Sequence, residues 1–396
     1  MSIQEAFICA AVRTPIGNFQ GGLSSLSAVQ LGSCVIEAVL AKTGIASNAV
    51  GECLMGSVLQ GGLGQAPARQ AWIGGGGSED VPCTTVNRVC GSGMQAIVNG
   101  ARAISLGEYG IAMVGGMESM SGAMYALPKA RRGYQLGVPS AAMIDLLIHD
   151  GLWDPYNNLH MGNLCEQVVA EHSLSRDAQD AYAVRSYTRA LDAQRKGVFS
   201  HEIVPVTVTH KKGETIVADD EGPGLFDERK LRALRPAFDP RRGTITAGNA
   251  SSINDGAAAL LLAGEKRCET ADLTPIARIV DWAVVASSPA LFPLTPILAI
   301  EKILAQTGLA VSDIDCIEIN EAFSAVPLFA IEKLKLDEEK VNPLGGAVAL
   351  GHPIGASGAR LVATLLSSLK HLGGKRGLAT LCIGGGEGIA LLVEMV

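Results

Sequence analysis

Two stretches decide the fold: Val86-Asn87-Arg88-Val89-Cys90-Gly91-Ser92-Gly93, and Val348-Ala349-Leu350-Gly351-His352-Pro353-Ile354-Gly355-Ala356-Ser357-Gly358. Each runs from an apolar lead-in through a glycine-bracketed, reactive side chain into a helical pattern. After the first, Met94, Ile97, Val98, Ala101 and Ile104 share one helix face. The pattern stops near Gly107, and an apolar strand at 111–114 ends at Gly115-Gly116. After the second, Leu361, Val362, Leu365 and Leu369 share a face. That pattern stops near Gly373-Gly374, and a strand at 378–383 ends at Gly384-Gly385-Gly386. Setting Ser92-Gly93 on Ser357-Gly358 nearly aligns the glycine clusters, so the chain reads as an internal duplication. Two such halves pack about a pseudo-twofold axis, and their helix-opening loops face one cleft.

Working outward, strand-like and helix-like segments alternate on both sides, which predicts an α/β fold. The stretch 121–246 carries more charge and weaker alternation, and reads as an insertion between regular halves. The chain has 396 residues, 48% hydrophobic and 18% charged, which excludes a disordered protein. Its net charge of -7 with scattered basic residues implies no nucleic-acid surface. No apolar run reaches the ~20 residues of a membrane span. The start reads as strand and turn rather than a targeting peptide. Nine cysteines without a Cys-x-x-Cys pair fit reduced thiols, and the expected location is cytoplasmic.

Four places carry chemistry. Cys90 opens a helix, where free N–H groups and the helix dipole favour a thiolate. A cysteine there is either a nucleophile or a buried apolar residue. His352 sits in a Gly-His-Pro-Ile-Gly turn, rigid enough to hold a general base still. Cys382 precedes three glycines at a strand end. Glycine weakens a strand, so the run suggests backbone N–H groups aimed at a ligand oxygen. Asn320-Glu321-Ala322-Phe323 follows the strand 316–319. Asn320 is there either as a helix cap or as the holder of a water or substrate oxygen.

Taken together, in order and approximate spacing, these blocks resemble those of the thiolase family. Further similar stretches are Arg13-Thr14-Pro15, Gly115-Gly116-Met117-Glu118-Ser119-Met120-Ser121, His160-Met161-Gly162, Gly248-Asn249-Ala250-Ser251 and Asn254-Asp255-Gly256. The resemblance spans essentially the whole chain. It implies a duplicated five-layered α-β-α-β-α thiolase fold with an inserted loop domain. The expected bounds are 1–120 plus 251–273 for the N-terminal half, 121–250 for the insertion over a CoA tunnel, and 274–396 for the C-terminal half.

The same resemblance implies reversible Claisen condensation of two acetyl-CoA to acetoacetyl-CoA plus CoA. Cys90 would be acylated and His352 would take its proton. Cys382 would act as acid or base, with His352 and a water on Asn320 stabilising the enolate. The N–H groups of Cys90 and Gly384 would form a second oxyanion hole. His160, Met161 and Ser251 match tunnel-lining positions. No metal or redox cofactor is required. Where many thiolases place an Arg to meet the CoA nucleotide, residues 219–226 offer only acidic and neutral side chains; Arg229, Lys230 and Arg232 lie nearby.

Phe292-Pro293, the His160 turn and Tyr187 resemble the acetoacetyl-CoA thiolases that accept 2-methyl substrates and are activated by potassium. The matching ion ligands would be Tyr187, Ala247, Gly248, Ala250 and Val348; the plain reading of Tyr187 is helix packing. Partners expected are CoA thioesters and further copies of the chain, as homotetramer or homodimer. Alternatives are a broad-chain degradative 3-ketoacyl-CoA thiolase, with Met120, Met161, Phe292 and Phe323 bounding its pocket, and a non-catalytic CoA-binding scaffold. A ketosynthase pairs one cysteine with two histidines, which Cys382 disfavours.

Overall fold

The computed structural model describes residues 4–128, 130–133, 143–211 and 213–396. The outermost start of the first half, 1–3, and parts of the expected insertion lie outside them.

Ten strands build the main sheet among the described residues. Nine form its path: β1 Ala6–Arg13, β2 Glu52–Gly56, β3 Cys83–Val86, β4 Ile111–Ser119, β5 Asn254–Gly264, β6 Ala277–Ala286, β7 Cys316–Ile319, β8 Arg376–Ile383 and β9 Glu387–Met395; the short Gly17–Asn18 pairs with β5 to one side. The order in the first half is β3-β2-β4-β5-β1. In the second it is β7-β8-β9-β6, and Val341 bridges Ile317 where a strand beyond β7 would lie. Directions match too. β2 is parallel to β3 and β4, as β7 is to β8 and to Val341. The other neighbours within each half are antiparallel. Within the sheet, the described residues join the halves where Phe7 and Ile8 pair with Arg278 and Ala277.

Helices α1 Ala28–Thr43 and α2 Pro67–Gly74 cover the outer face of the first half. Between them and the middle of the chain come α3 Ser92–Leu106, then α4 Met161–Glu171 and α5 Arg176–Arg195 in the insertion. Helices α6 Thr295–Thr307 and α7 Ala325–Leu334 cover the outer face of the second half, and α8 Ile354–Leu372 follows. α3 and α8 pack on each other between the two halves of the sheet, giving the five layers. Their composition requires that place. Every residue of α8 from Ile354 to Leu369 is buried, and a helix buried all round belongs inside. Each fully buried Leu or Ile there contributes about 1.5–3 kcal/mol. α1, α3, α6 and α8 all end on a left-handed glycine, Gly44, Gly107, Gly308 and Gly373.

The central helices cross at their first turns. A Cβ on Gly93 would lie 2.8 Å from Ala359 N, and one on Gly358 would lie 2.4 Å from Met94 N. The two contacts exchange under the proposed alignment of Ser92-Gly93 with Ser357-Gly358, so the duplication is visible in the packing. Gly115-Gly116 does not end its strand as expected; β4 runs through to Ser119. These glycines serve close approach: a Cβ on Gly116 would sit 2.1 Å from Gly355 O.

The chain leaves the first half after β4 and returns at β5. Between lie α4, α5 and a hairpin, Val206–His210 with Gly213–Val217. The insertion is anchored by buried charge. Arg13 meets Asp220 through both terminal nitrogens, at 2.6 and 2.8 Å, and Glu202 at 2.5 Å. The acidic character of 219–226 is thereby explained: Asp220 holds Arg13, and Glu221 accepts from Asn18 N and Gly22 N. Among the described residues no helix is long and apolar enough to cross a membrane.

Candidate active site

Cys90 lies in the tight turn between β3 and α3. Val89 has φ 45°, Ser92 Oγ accepts from Arg88 N at 2.8 Å, and it donates to Val89 O at 2.6 Å. Gly91 is forced by the end of β8, since a Cβ there would meet Ile383 Cδ1 at 2.4 Å. The thiol is half-buried, in a crowded pocket. Burial pushes it up to about 11, although the N–H groups of Gly384 and of Cys90 itself pull the other way. The expectation of a depressed thiol is therefore corrected. The helix-terminal N–H groups act as foreseen, but desolvation outweighs them.

His352 is held from three sides. Its N–H donates to Asn254 Oδ1 at 2.9 Å, its Nδ1 lies 2.5 Å from Ser357 Oγ, and its Nε2 lies 3.4 Å from Asn320 Nδ2. Ser357 Oγ donates to Pro353 O at 2.9 Å, so it accepts from Nδ1–H. Nε2 then carries the lone pair. Burial, with Arg360 adding to it, lowers the imidazole to about 3, so the ring is neutral. Gly351, at φ 108°, leaves room for Asn254, whose side chain a Cβ would meet at 2.3 Å.

Asn320 is fully buried at the end of β7, its N–H donating to Thr380 O at 2.9 Å. It caps no helix, because α7 begins only at Ala325. Glu321 ties the insertion to the second half by accepting from Tyr182 Oη, Ser186 Oγ, Asn342 Nδ2 and Val348 N. Cys382 is buried in β8. Desolvation, then the neighbouring Cys90, pushes its thiol well above the ordinary range. The glycine run after it has two jobs. Gly385 and Gly386, at φ 89° and 83°, make the left-handed turn into β9; that turn, and not oxyanion binding alone, requires them. Gly384 alone turns its N–H to Cys90.

Cys90, His352, Cys382 and Gly384 line one cavity of ≈ 630 Å³, a size fit for a small-molecule ligand. His160, Met161 and Ser251 line it as well, as do Met120, Phe292 and Phe323. His160 caps α4 by accepting from Gly162 N at 3.0 Å and stacks on Phe238, with centroids 5.0 Å apart. Ser251 caps no helix; its Oγ donates to Ala322 O at 3.0 Å. Ala247 and Ala250 are on the wall too. Tyr187 is not: it stacks on Phe226 at 4.9 Å and packs in a cluster with Val348 and Leu231. Lys230 pairs with Asp227 and Arg232 with Glu228 on the surface, whereas Arg229 makes no ion pair with a described residue.

The sequence reading missed Glu118 as a site residue. Its buried carboxyl accepts from Val58 N, Leu59 N and Gly355 N, tying the His352 loop to β4, and burial raises it to about 7. Ser357 and Asn254 were missed as supports of His352. All three lay inside quoted stretches, but a polar residue that faces inward carries no periodic mark.

Family models for "Thiolase, N-terminal domain" and "Thiolase, C-terminal domain" match residues 6–266 and 273–395. The chain belongs to the thiolase family. It is 46% identical over 395 residues to acetyl-CoA acetyltransferase 2 of Arabidopsis thaliana, covering 99% of this chain and 98% of the relative. It is 45% identical over 394 residues to a probable acetyl-CoA acetyltransferase of Escherichia coli K12, covering 99% of each. Among solved structures, the Bacillus anthracis acetyl-CoA acetyltransferase superposes with TM-score 0.96 at 38% identity over all of both chains. The Acat5 thiolase of Ascaris suum in complex with coenzyme A gives 0.94 at 41% identity, covering 99% of this chain and 100% of that one.

Proposed function

We propose that this chain is an acetyl-CoA acetyltransferase, condensing two acetyl-CoA to acetoacetyl-CoA plus CoA and running the reverse thiolysis. The observation that carries the proposal is the convergence of two thiols, a neutral imidazole and a backbone N–H from three separate segments on one cavity. Cys90 Sγ attacks the acetyl carbonyl carbon, and His352 Nε2 accepts the thiol proton. The tetrahedral oxygen is met by the N–H groups of Cys90 and Gly384. The C–S bond to CoA breaks, and His352 returns the proton to the leaving thiolate.

Acylation also prepares the second step. Burial raises the Cys382 thiol first and the neighbouring Cys90 second, and acetylation replaces the Cys90 thiol by a neutral thioester that cannot ionise beside it. Cys382 passes its thiol proton to His352 Nε2, and the thiolate so formed takes a proton from the methyl of the second acetyl-CoA. The carbanion, its charge on the enolate oxygen facing the Nε2–H of protonated His352 and a water on Asn320, attacks the acetyl carbon; Cys90 leaves as thiolate and takes the proton back from His352. In thiolysis Cys382 gives its proton to the departing enolate carbon.

The support for CoA as carrier is the size and apolar wall of the cavity, which suit a thin pantetheine arm, and the CoA-bound relative. A bound potassium ion belongs to the same proposal. The carbonyl oxygens of Ala247, Gly248 and Val348 accept no hydrogen bond from a described residue, and neutral oxygens suit a large monovalent cation. Such an ion would supply positive charge that orders the 247–250 wall, with Tyr187 and Ala250 completing its ligands. Turnover unchanged when sodium replaces potassium would count against it. We propose a homotetramer or homodimer, supported by exposed Met124, Tyr125, Leu127 and Met143 in the insertion. A reducing, cytoplasmic setting is supported by two thiols that must stay free for the chemistry.

The test is CoA-dependent thiolysis of acetoacetyl-CoA, 2-methylacetoacetyl-CoA and a long-chain 3-ketoacyl-CoA. Turnover of the two short substrates alone supports the proposal. Preference for the long chain would transfer the mechanism to a degradative thiolase. Absence of turnover on all three would leave a binding scaffold.

A further inference from the structure

Beneath the site lies a charge that the steps above do not use. Arg360, on α8, is 1% exposed. Its Nε and Nη1 have no hydrogen-bond partner, and it forms no ion pair with a described residue. Glu318 is buried nearby and balances it electrostatically, but holds Ser368 Oγ at 2.9 Å instead. The one polar group of the described residues that the guanidinium reaches is Asn320 Oδ1, 3.5 Å from Nη2. A buried cation so thinly partnered is costly, and an apolar side chain of like volume would serve packing better.

We propose that Arg360 is a positioning residue that fixes which way the Asn320 amide faces. A guanidinium has only donors, so the amide must turn its oxygen to Arg360. Its N–H₂ then faces His352 Nε2, 3.4 Å away, on the ring that lines the cavity. Flipped, the amide would set two donors against Arg360 and its oxygen against the imidazole lone pair. The inference rests on the proposed role of Asn320 in the enolate step. Arg360 touches no substrate; it orients Asn320, and its charge also lowers the His352 imidazole.

The test is a double-mutant cycle with Arg360→Met and Asn320→Ala, read in two half-reactions. Acetylation of Cys90 by acetyl-CoA uses His352 as base but not the water on Asn320, and losing the Arg360 charge makes that base stronger, so Arg360→Met should slow it by no more than about twofold. Condensation should fall about tenfold or more in kcat, the size of one lost charge-assisted hydrogen bond, with KM little changed. In the Asn320→Ala background the same substitution should cost nothing further. Arg360→Lys, which keeps the charge without the planar fork, should show a smaller loss with the same dependence on Asn320, and replaces Arg360→Met if that variant does not fold. Equal losses in both half-reactions, or a condensation loss that persists without Asn320, would overturn the inference. A silent Asn320→Ala would overturn instead the reading of the site on which it stands.

Discussion

The loop that opens α3 and the loop that opens α8 occupy equivalent places in the two halves, yet they do opposite things to a proton. The first offers a thiol, Cys90, with backbone N–H groups aimed at it from its own turn and from Gly384. The second offers an imidazole without N–H at Nε2, because the ring proton sits on Nδ1 and is donated to Ser357 Oγ. Ser92 and Ser357 correspond in the duplication. One hydroxyl closes the turn around Cys90, and the other sets the tautomer of His352. A fold duplicated for packing has thus been specialised into donor and acceptor. Neither loop has a neighbouring charge that would ionise it: Cys90 stays a thiol and His352 stays neutral until substrate arrives.

The largest way to break this comparison is Cys90→Ala, which removes the nucleophile. We expect at least a ~10³-fold loss of thiolysis, measured as CoA-dependent cleavage of acetoacetyl-CoA, with the fold intact by circular dichroism. Next come the reciprocal glycines. Gly358→Ala puts a Cβ against Met94 N, and Gly93→Ala puts one against Ala359 N. Backbone cannot yield as a side chain does, so each should cost about 1–3 kcal/mol by thermal or denaturant melts. Similar losses at both positions would sharpen the symmetry; loss at one alone would break it.

A smaller effect is expected of Ser357→Ala. Losing the partner of Nδ1 frees the other tautomer and should lower kcat about tenfold, with KM for acetyl-CoA nearly constant. The smallest is in pH. An ordinary histidine would bend kcat/KM near pH 6.5. With His352 lowered to about 3 and Cys90 raised to about 11, both are neutral between those values. His352 should therefore put no break at pH 6.5; Glu118, raised to about 7, is the one site group described above that titrates nearby, so a break that survives Glu118→Gln would show a resting imidazolium that the burial forbids.

The repeat, the α/β alternation and the four reactive loops were legible because they rest on apolar periodicity and on glycines at turns. The strand end of Asn320, the helix start after Cys90 and the strand carrying Cys382 all follow from such patterns. What could not be read was direction. Gly115-Gly116 looks like a strand end, but its meaning lies in Gly355 O across the layer, a contact with no local trace. Glu321, Glu118 and Arg360 look like solvent-facing charges, and only the packed core shows them inside. The thiol of Cys90 illustrates the same gap. Its helix-terminal N–H groups are written in the sequence, whereas the desolvation that overrides them belongs to the assembled layers.

The most direct measurement is acetyl transfer in a Cys382→Ala variant. Incubated with acetyl-CoA, quenched and digested, it should carry one acetyl group on the Cys90 peptide while forming no acetoacetyl-CoA, because the first loop pair still acylates and the second proton transfer is gone. Acetyl on any other residue, or acetoacetyl-CoA formed at the rate of the unaltered protein, would contradict the division of labour between the two halves.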